Sequence, residues 1–311
     1  MRRLWAATAA IVLCLALGAV PAAAQAEGGA EGITIEPLFK VDLGADALPE
    51  DLSGVLVFRK VYPADMDISY GASFVPPNTF VRYVESGQLG LRSHGGMSVI
   101  RSGTTPPTIE TVPAEADVTV GPGDVVVQAD VPYEAYGHDA LGTMWHEGAE
   151  DAVAVGFAIR EASRCCAMTH AGMRSPWHAT MAGDKVESLI GRPLTFRMDR
   201  VHIEPGATLP LATDEPPTMR LIDAGTLTAT LSNGGDGDAR SMVFASGRSF
   251  TDEALTRDLR FLLDEDRAEA PVLANLGDDP VVLLQLVIEP IAIGSGDVAA
   301  VPPRWVEPPT E

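Results

Sequence analysis

Short apolar runs separated by glycine and proline recur along the whole chain, and this punctuation constrains the fold more than any other feature. The 311 residues include 30 Gly and 24 Pro, and 46% are hydrophobic. Glycine and proline interrupt helices but suit the turns between strands. Residues 54–62, 79–86 and 123–131 are apolar or alternating runs of strand length, bounded by such turn residues. The pattern therefore predicts an all-β chain with a substantial core.

The clearest strand covers residues 151–160, where large and small side chains alternate. Its two faces carry Val153, Val155, Phe157 and Ile159 on one side and Ala152, Ala154, Gly156 and Ala158 on the other. Because successive side chains of a strand point to opposite faces, all the large residues lie together. This arrangement favours a curved sheet around a crowded interior.

One segment, residues 251–265, has the pattern of a helix. Thr251 can act as its N-cap, and the two acidic residues that follow suit the positive end of the helix dipole. Leu255, Leu259 and Leu262 recur at helical spacing and share one face. The segment is therefore predicted to form a short helix in the second half of the chain.

The two halves of the chain repeat the same order of elements. Residues 146–159 (HEGAEDAVAVGFAI) match residues 275–288 (NLGDDPVVLLQLVI), each an acidic, glycine-containing turn followed by an apolar strand. We interpret the match as an internal duplication, with units of about 150 residues that suit one domain each. The predicted units span residues 33–160 and 193–311, and residues 161–192 form the linker between them.

A pair of glycines in the second half has the spacing of a metal-binding motif. Gly206 and Gly225 stand at the separation found in the first cupin motif, in which two His and one Glu hold a divalent metal. The chain resembles the cupin family in this frame, and the resemblance implies two tandem cupin-like jelly-roll barrels. The ligand positions hold Ala212, Asp214 and Thr218. Only Asp214 is a metal-binding residue type, so the resemblance implies a frame whose metal ligands are mostly replaced.

The first half shows the same resemblance less fully. Gly71 and Gly87 form the frame, and no His, Cys, Asp or Glu lies between Gly71 and Arg82. The second cupin motif resembles the stretch from Gly123, with Glu134 at its His position. We therefore expect neither a metal nor another cofactor. The candidates for a ligand pocket are Pro77, Thr79, Tyr83, Ala212, Asp214 and Thr218.

Three residues of the first half leave a metal site open as the alternative. Glu134, His138 and His146 lie close together in the sequence and offer the oxygen and nitrogen donors that divalent metals bind. They would make the protein a metal-dependent two-barrel enzyme of the dioxygenase or decarboxylase type. The other interpretation is a surface loop, and it favours a non-catalytic protein that binds a small molecule or an exterior partner.

The predicted linker concentrates thiol, thioether and imidazole groups. It contains Cys165, Cys166, Met168, His170, Met173, His178 and Met181. Such ligands suit Cu(I), but neighbouring residues of a strand or helix point in different directions. We therefore interpret the methionines as packing residues and the two cysteines as a redox or structural pair, since an oxidising exterior favours disulfides.

The N-terminus is predicted to be a processing segment. Arg2 and Arg3 precede an apolar stretch, and Ala24 and Ala26 fit an A-x-A cleavage site. Cleavage after Ala26 would remove residues 1–26 as a signal peptide and place the protein outside the cytoplasm. An uncleaved membrane anchor is the alternative. No later run is long and apolar enough to cross a membrane.

The chain is strongly acidic, with a formal net charge of −21 at pH 7. Loss of Arg2 and Arg3 with the signal peptide would make the charge two units more negative. Such a surface repels nucleic acid and anionic lipid, so we expect neither as a partner.

Overall fold

The computed structural model describes residues 31–45, 48, 52–64, 67–70, 79–93, 95–103, 107–129, 142–146, 148–161, 174–181, 189, 191–211, 216–232, 239–260 and 270–291. The predicted signal peptide, 1–26, and the cysteine pair Cys165 and Cys166 lie outside these residues. Strands dominate the described chain, which confirms the all-β prediction. Among the described residues, no helix is long and apolar enough to cross a membrane.

The described elements follow one another along the chain with short connections. The strands are β1 (Ile33–Leu43), β2 (Leu52–Tyr62), β3 (Asp67–Tyr70), β4 (Thr79–Ser86), β5 (Leu89–Ser93), β6 (Met97–Arg101), β7 (Thr108–Val112), β8 (Asp117–Val120), β9 (Val125–Ala129), β10 (Gly142–His146), β11 (Ala152–Glu161), β12 (Arg174–Met181), β13 (Leu194–Ile203), β14 (Thr208–Pro210), β15 (Thr218–Ala224), β16 (Thr226–Ser232), β17 (Ala239–Ala245), β18 (Ser249–Thr251), β19 (Val272–Ala274) and β20 (Val281–Pro290). Helix α1 (Asp252–Arg260) directly follows β18.

Each half of the chain folds into two antiparallel sheets that pack against each other. In the first half, a sheet with the order β12-β2-β11-β4-β9-β6-β7 packs on one with the order β3-β10-β5-β8. In the second half, the order β1-β13-β20-β15-β18 packs on β14-β19-β16-β17. The strands correspond one to one from β2 and β13 onward. This topology confirms the prediction of two tandem jelly-roll barrels.

The two barrels exchange their outermost strands. β1 comes before the first barrel in the chain but pairs with β13 in the second barrel. β12 lies within the predicted linker but pairs with β2 in the first barrel. The division at residues 33–160 and 193–311 stays a prediction about the chain, while the sheets cross that division twice. Each barrel therefore depends on a strand that the other half supplies.

The largest apolar cluster lies between the two barrels, on the facing surfaces of the two large sheets. Val155, Phe157 and Ile159, the large face of β11, are completely buried there. The rings of Phe157 and Phe196 stack across this interface with centroids 4.5 Å apart. The small face of β11 points the other way, and Ala154 packs inside the first barrel. The crowded side of this strand is thus the interface, and the small side lines the barrel.

Ion pairs join the barrels beside this apolar cluster. Arg200 on β13 pairs with Glu85 on β4, and Arg59 on β2 lies 3.3 Å from Asp223 on β15. The two arginines hold corresponding positions in the two large sheets, and so do the two acids. The pairing across the interface is therefore reciprocal.

Helix α1 forms where the sequence predicts a helix. The Thr251 hydroxyl accepts a hydrogen bond from the Ala254 amide at 3.0 Å, which is the expected N-cap contact. Leu255 and Leu259 are buried in the core of the second barrel. Leu262 lies outside the described residues. The apolar face of the helix therefore fills the second barrel.

Candidate binding site inside the first barrel

Strand β2 turns a lysine and a tyrosine into the interior of the first barrel. Leu56, Phe58, Lys60 and Tyr62 alternate with residues that face the second barrel, and each has a relative exposure of 2% or less. Lys60 therefore occupies a core position. A buried amine needs a partner, or it loses its charge.

The Lys60 amine lies among aromatic rings. Its Nζ is 5.1 Å from the ring centroid of Phe58 and 5.4 Å from that of Phe80. No ion pair joins it to a carboxylate in the part of the chain that the structure describes. Burial lowers the pKa of Lys60 well below its ordinary value, and the charge of Arg82 lowers it further. A larger fraction of this amine is therefore neutral than in an exposed lysine.

Arg82 on β4 is the second buried cation of the barrel, and 3% of its surface is exposed. Its guanidinium carbon lies 4.6 Å from the ring centroid of Phe80 and 6.0 Å from that of Tyr62. The Arg82 Nε and the Tyr62 hydroxyl are both buried without a hydrogen-bond partner among the described residues. Lys60, Tyr62 and Arg82, with the rings of Phe58 and Phe80, form what we call the Lys60–Arg82 site.

Small residues on β11 form the wall between the two cations. β11 lies between β2 and β4, with Ala154 paired to Lys60 and Gly156 paired to Arg82. A Cβ at Gly156 would lie 2.0 Å from the Val81 carbonyl oxygen, so the native backbone accepts only glycine there. The backbone itself therefore forms the wall of the site at this point.

The second barrel carries a buried arginine, Arg220, at the position that corresponds to Arg82. Its Nε and Nη2 each donate a hydrogen bond of 2.8 Å to the two carboxylate oxygens of Asp252. Its Nη1 donates to the side-chain carbonyl of Gln285. Two parallel hydrogen bonds to a carboxylate are the strongest pairing that a guanidinium makes. The charge of Arg220 is thus neutralised within the barrel.

The first barrel replaces both partners of that arginine. The register of β11 against β4 places Gly156 where the second barrel has Gln285. The register of β9 places Gln128 where the second barrel has Asp252. The Gln128 amide donates to the Ser93 hydroxyl at 2.8 Å. The first barrel therefore keeps the arginine and has a neutral amide where the second barrel has its carboxylate.

This arrangement suits an anion. A buried guanidinium stays protonated, so it needs a negative partner with hydrogen-bond acceptors. The neighbouring amine offers further donors, and the rings and small residues offer apolar contact. Metal binding requires three or more His, Cys, Asp or Glu side chains in one place, and no such group occurs among the described residues.

Of the predicted metal ligands, only His146 lies within the described residues; Glu134 and His138 lie outside them. The His146 Nδ1 accepts a hydrogen bond from the Gly148 amide at 2.9 Å. Asn275, its counterpart in the duplication, accepts the same bond from Gly277 at 3.0 Å. Because Nδ1 is the acceptor, the neutral ring carries its proton on Nε2, which is therefore no metal ligand in this state.

The structure does not bring the predicted pocket residues together. Thr79 and Tyr83 lie on the face of β4 that meets the second barrel, where the Tyr83 ring stacks on Phe39. Thr218 lies on the interior face of the second barrel and donates its hydroxyl to the carbonyl of Pro216. Pro77, Ala212 and Asp214 lie outside the described residues.

Sequence reasoning missed Lys60 and Arg82. The available signal was their phase: Lys60 alternates with Leu56 and Phe58 on β2, and Arg82 with Phe80 on β4. A charged residue in phase with the apolar face of a strand indicates a buried charge. The scarcity of lysine sharpens this signal, because Lys40, Lys60 and Lys185 are the only lysines of the chain.

Comparison with known proteins gives matches in structure alone. No family model and no curated protein matches the chain. AerE from Microcystis aeruginosa is similar with 12% identity and a TM-score of 0.36, over 76% of this chain and 88% of that chain. An oxalate decarboxylase from Lactobacillus farciminis, in a formate complex, is similar with 9% identity and a TM-score of 0.40, over 81% of each chain.

A cupin_2 domain of an XRE family transcriptional regulator from Enterobacter cloacae is similar over 30% of this chain and 79% of that chain. Its identity is 16% and its TM-score 0.19. By the order of its own strands, the chain has a two-barrel, cupin-like fold.

Proposed function

We propose that this protein binds a small organic carboxylate inside the first barrel, with Arg82 as its principal partner. The contrast between two corresponding arginines carries the proposal. Arg220 is neutralised by the carboxylate of Asp252, whereas Arg82 is equally buried and its Nε lacks a hydrogen-bond partner among the described residues. A bound carboxylate would supply in the first barrel what Asp252 supplies in the second.

The surroundings of the site favour a small ligand with a short apolar part. The rings of Phe58 and Phe80 and the small residues Ala154 and Gly156 accept apolar groups, because they offer no side-chain hydrogen bonds. The negative charge of the ligand would also offset the charge of Arg82 at Lys60. Binding should therefore favour protonation of the amine, and the complex should take up protons from solution.

The biological setting of the proposal is the exterior of the cell. The signal-peptide pattern of residues 1–26 supports this location, and the acidic composition suits a soluble exterior protein. We propose a protein that holds or carries its ligand rather than one that uses a metal to transform it. Replacement of the cupin metal-ligand types at Ala212 and Thr218 supports this proposal.

Calorimetric titration of the purified full chain tests the proposal. Acetate, lactate, pyruvate and benzoate are the probes, with chloride as the comparison anion. We expect at least one carboxylate to bind at one equivalent, with an affinity that Arg82→Met weakens by more than about tenfold, since charged hydrogen bonds contribute roughly 1.5–3 kcal/mol. Repeating the titration in buffers of different ionisation enthalpy measures the proton uptake.

Arg92→Met is the matched control. Arg92 belongs to the same barrel, but it is exposed and pairs with Asp117 at the surface. We expect this variant to bind carboxylates like the parent. Equal affinity in the parent and Arg82→Met would refute the proposal, and so would the absence of binding by every carboxylate tested.

A further inference from the structure

The Lys60 amine has surroundings that make a lysine nucleophilic. Two features activate a lysine toward carbonyl carbons: an apolar pocket that removes water from the amine, and a second cation nearby. Lys60 is 2% exposed, lies against two phenylalanine rings, and has Arg82 as a charged neighbour. The binding of a carboxylate alone needs no such amine.

The position of the amine relative to Arg82 defines the ligand further. Both groups contact the Phe80 ring, with Lys60 Nζ 5.4 Å and the Arg82 guanidinium carbon 4.6 Å from its centroid. They reach the ring from β2 and β4, the two strands that flank the small face of β11. A ligand held by both groups must therefore carry an anion and an electrophilic carbon within a few bonds of each other.

We propose that Lys60 forms a reversible imine with a small 2-oxo acid whose carboxylate is held by Arg82. This inference rests on the proposed carboxylate binding and names the chemical class of the ligand. In a 2-oxo acid the carbonyl carbon is bonded directly to the carboxylate carbon, so one short molecule presents both groups.

The chemistry balances without an oxidant or a second substrate. The Lys60 nitrogen lone pair attacks the carbonyl carbon, and the electron pair of the C=O bond moves to oxygen, which takes up a proton. The nitrogen loses a proton to give a neutral carbinolamine. Breakage of the C–O bond then releases water and leaves a C=N bond between Lys60 and the ligand. Hydrolysis reverses every step, so the adduct is a form of covalent but reversible capture.

Reductive trapping tests the inference on the purified full chain. The protein is incubated with pyruvate and sodium cyanoborohydride, which converts an imine into a stable amine, and the modified peptide is identified by mass spectrometry. We expect one adduct per chain, located on Lys60. Lys40 is an exposed lysine on β1 and serves as the internal control, which should remain unmodified.

Three variants separate the roles of the two cations. Lys60→Met and Lys60→Arg should both form no adduct, and Lys60→Arg keeps a positive charge so that loss of labelling is not merely loss of charge. Arg82→Met should retain the amine but trap pyruvate more than about tenfold more slowly, because the carboxylate loses its partner. Adduct formation on Lys60 at the parent rate in Arg82→Met would overturn the assignment of the carboxylate to Arg82.

Lactate distinguishes failure of the imine from failure of carboxylate binding. Lactate has the carboxylate of pyruvate but a hydroxyl in place of the carbonyl, so it should compete with trapping and form no adduct. If both acids bind the parent, both are weakened by Arg82→Met, and no adduct forms, the imine is refuted and carboxylate binding stands. If neither acid nor any other carboxylate binds and no adduct forms, both proposals fail together.

Discussion

The two barrels have one strand order and treat the same buried arginine in opposite ways. In the second barrel, Arg220 is enclosed by Asp252 and Gln285, and helix α1 fills the space beside it. In the first barrel, Arg82 faces a glycine, aromatic rings and a second cation. The second barrel thus has an internal partner for its charge, and the first has an arrangement that a ligand would complete.

This difference teaches how a duplicated fold can separate stability from binding. The main apolar cluster lies between the barrels, on the outer faces of the large sheets, and the exchanged strands β1 and β12 tie each half to the other. Residues inside a barrel contribute less to that cluster. One barrel interior is therefore free to hold unpaired cations while the common interface maintains the fold.

Removing the internal partner of the second barrel should have the largest effect. Asp252→Ala leaves the guanidinium of Arg220 buried without its carboxylate, which we expect to lower the free energy of unfolding by about 3–5 kcal/mol. The variant would then have an arginine in the state of Arg82. Urea denaturation of the parent and the variant measures the difference.

Two further variants sharpen this test. Arg220→Met combined with Asp252→Leu replaces the pair by apolar groups and should recover most of the stability. Arg82→Met removes a buried cation without breaking an ion pair among the described residues, so it should leave stability unchanged or raise it. A loss in Arg82→Met as large as that in Asp252→Ala would mean that Arg82 is already paired in the absence of a ligand.

Introducing the residue of the second barrel at Gly156 should have the next largest effect. Gly156→Gln copies Gln285, but its Cβ would meet the Val81 carbonyl oxygen and the Phe58 ring. We expect the backbone to shift, with a loss of roughly 1–3 kcal/mol in the free energy of unfolding and a loss of carboxylate binding. A fully stable Gly156→Gln variant would show that β11 adapts more easily than its contacts indicate.

The elements of this fold were predictable because their signals are local. The N-cap at Thr251, the alternation along β11 and the match between residues 146–159 and 275–288 are all visible within short stretches. Which sheet a strand joins is different, since the pattern of β1 does not reveal that its partner is β13, about 150 residues later. The strand exchange was therefore outside the reach of the sequence.

The candidate site was harder to predict because it depends on which face of each strand enters the barrel. The large face of β11 indicated a crowded interior, yet that face meets the second barrel and the small face lines the site. Lys60 and Arg82 lie on different strands, joined through β11 more than sixty residues further along the chain. The family resemblance directed attention to empty metal positions, whereas the two cations stand elsewhere in the frame.

The buried amine should give the first barrel a dependence on pH that the second lacks. Burial and Arg82 lower the pKa of Lys60 in the folded state, while an unfolded lysine titrates near about 10.4. Between these values the unfolded chain binds more protons, so the contribution of Lys60 to stability increases as the pH rises. We expect the stability of the parent, relative to Lys60→Met, to increase from neutral pH toward about pH 10. Urea denaturation at several pH values measures this difference.

The neighbouring titratable group in this comparison is Tyr62, whose pKa is raised by its burial. It should remain protonated in the same range and leave the sign unchanged. Lys40→Met, at an exposed lysine, is the control and should show no such trend. Parallel pH profiles for the parent and Lys60→Met would mean that the amine has an ordinary pKa and a partner outside the described residues.

The smallest effect is expected where the two barrels agree. His146 and Asn275 accept the same hydrogen bond from the glycine two residues later, so His146→Asn should change the free energy of unfolding by less than about 0.5 kcal/mol. His146→Ala loses the acceptor for the Gly148 amide and should be less stable by about 1 kcal/mol. Thermal unfolding with and without added Mn²⁺ or Zn²⁺ gives the decisive comparison. If His146 only holds the turn, His146→Asn and the parent respond alike to the metals. Stabilisation of the parent by a metal, lost in His146→Asn, would instead favour a metal site built from Glu134, His138 and His146 and would make the first barrel catalytic ground rather than a carboxylate-binding one.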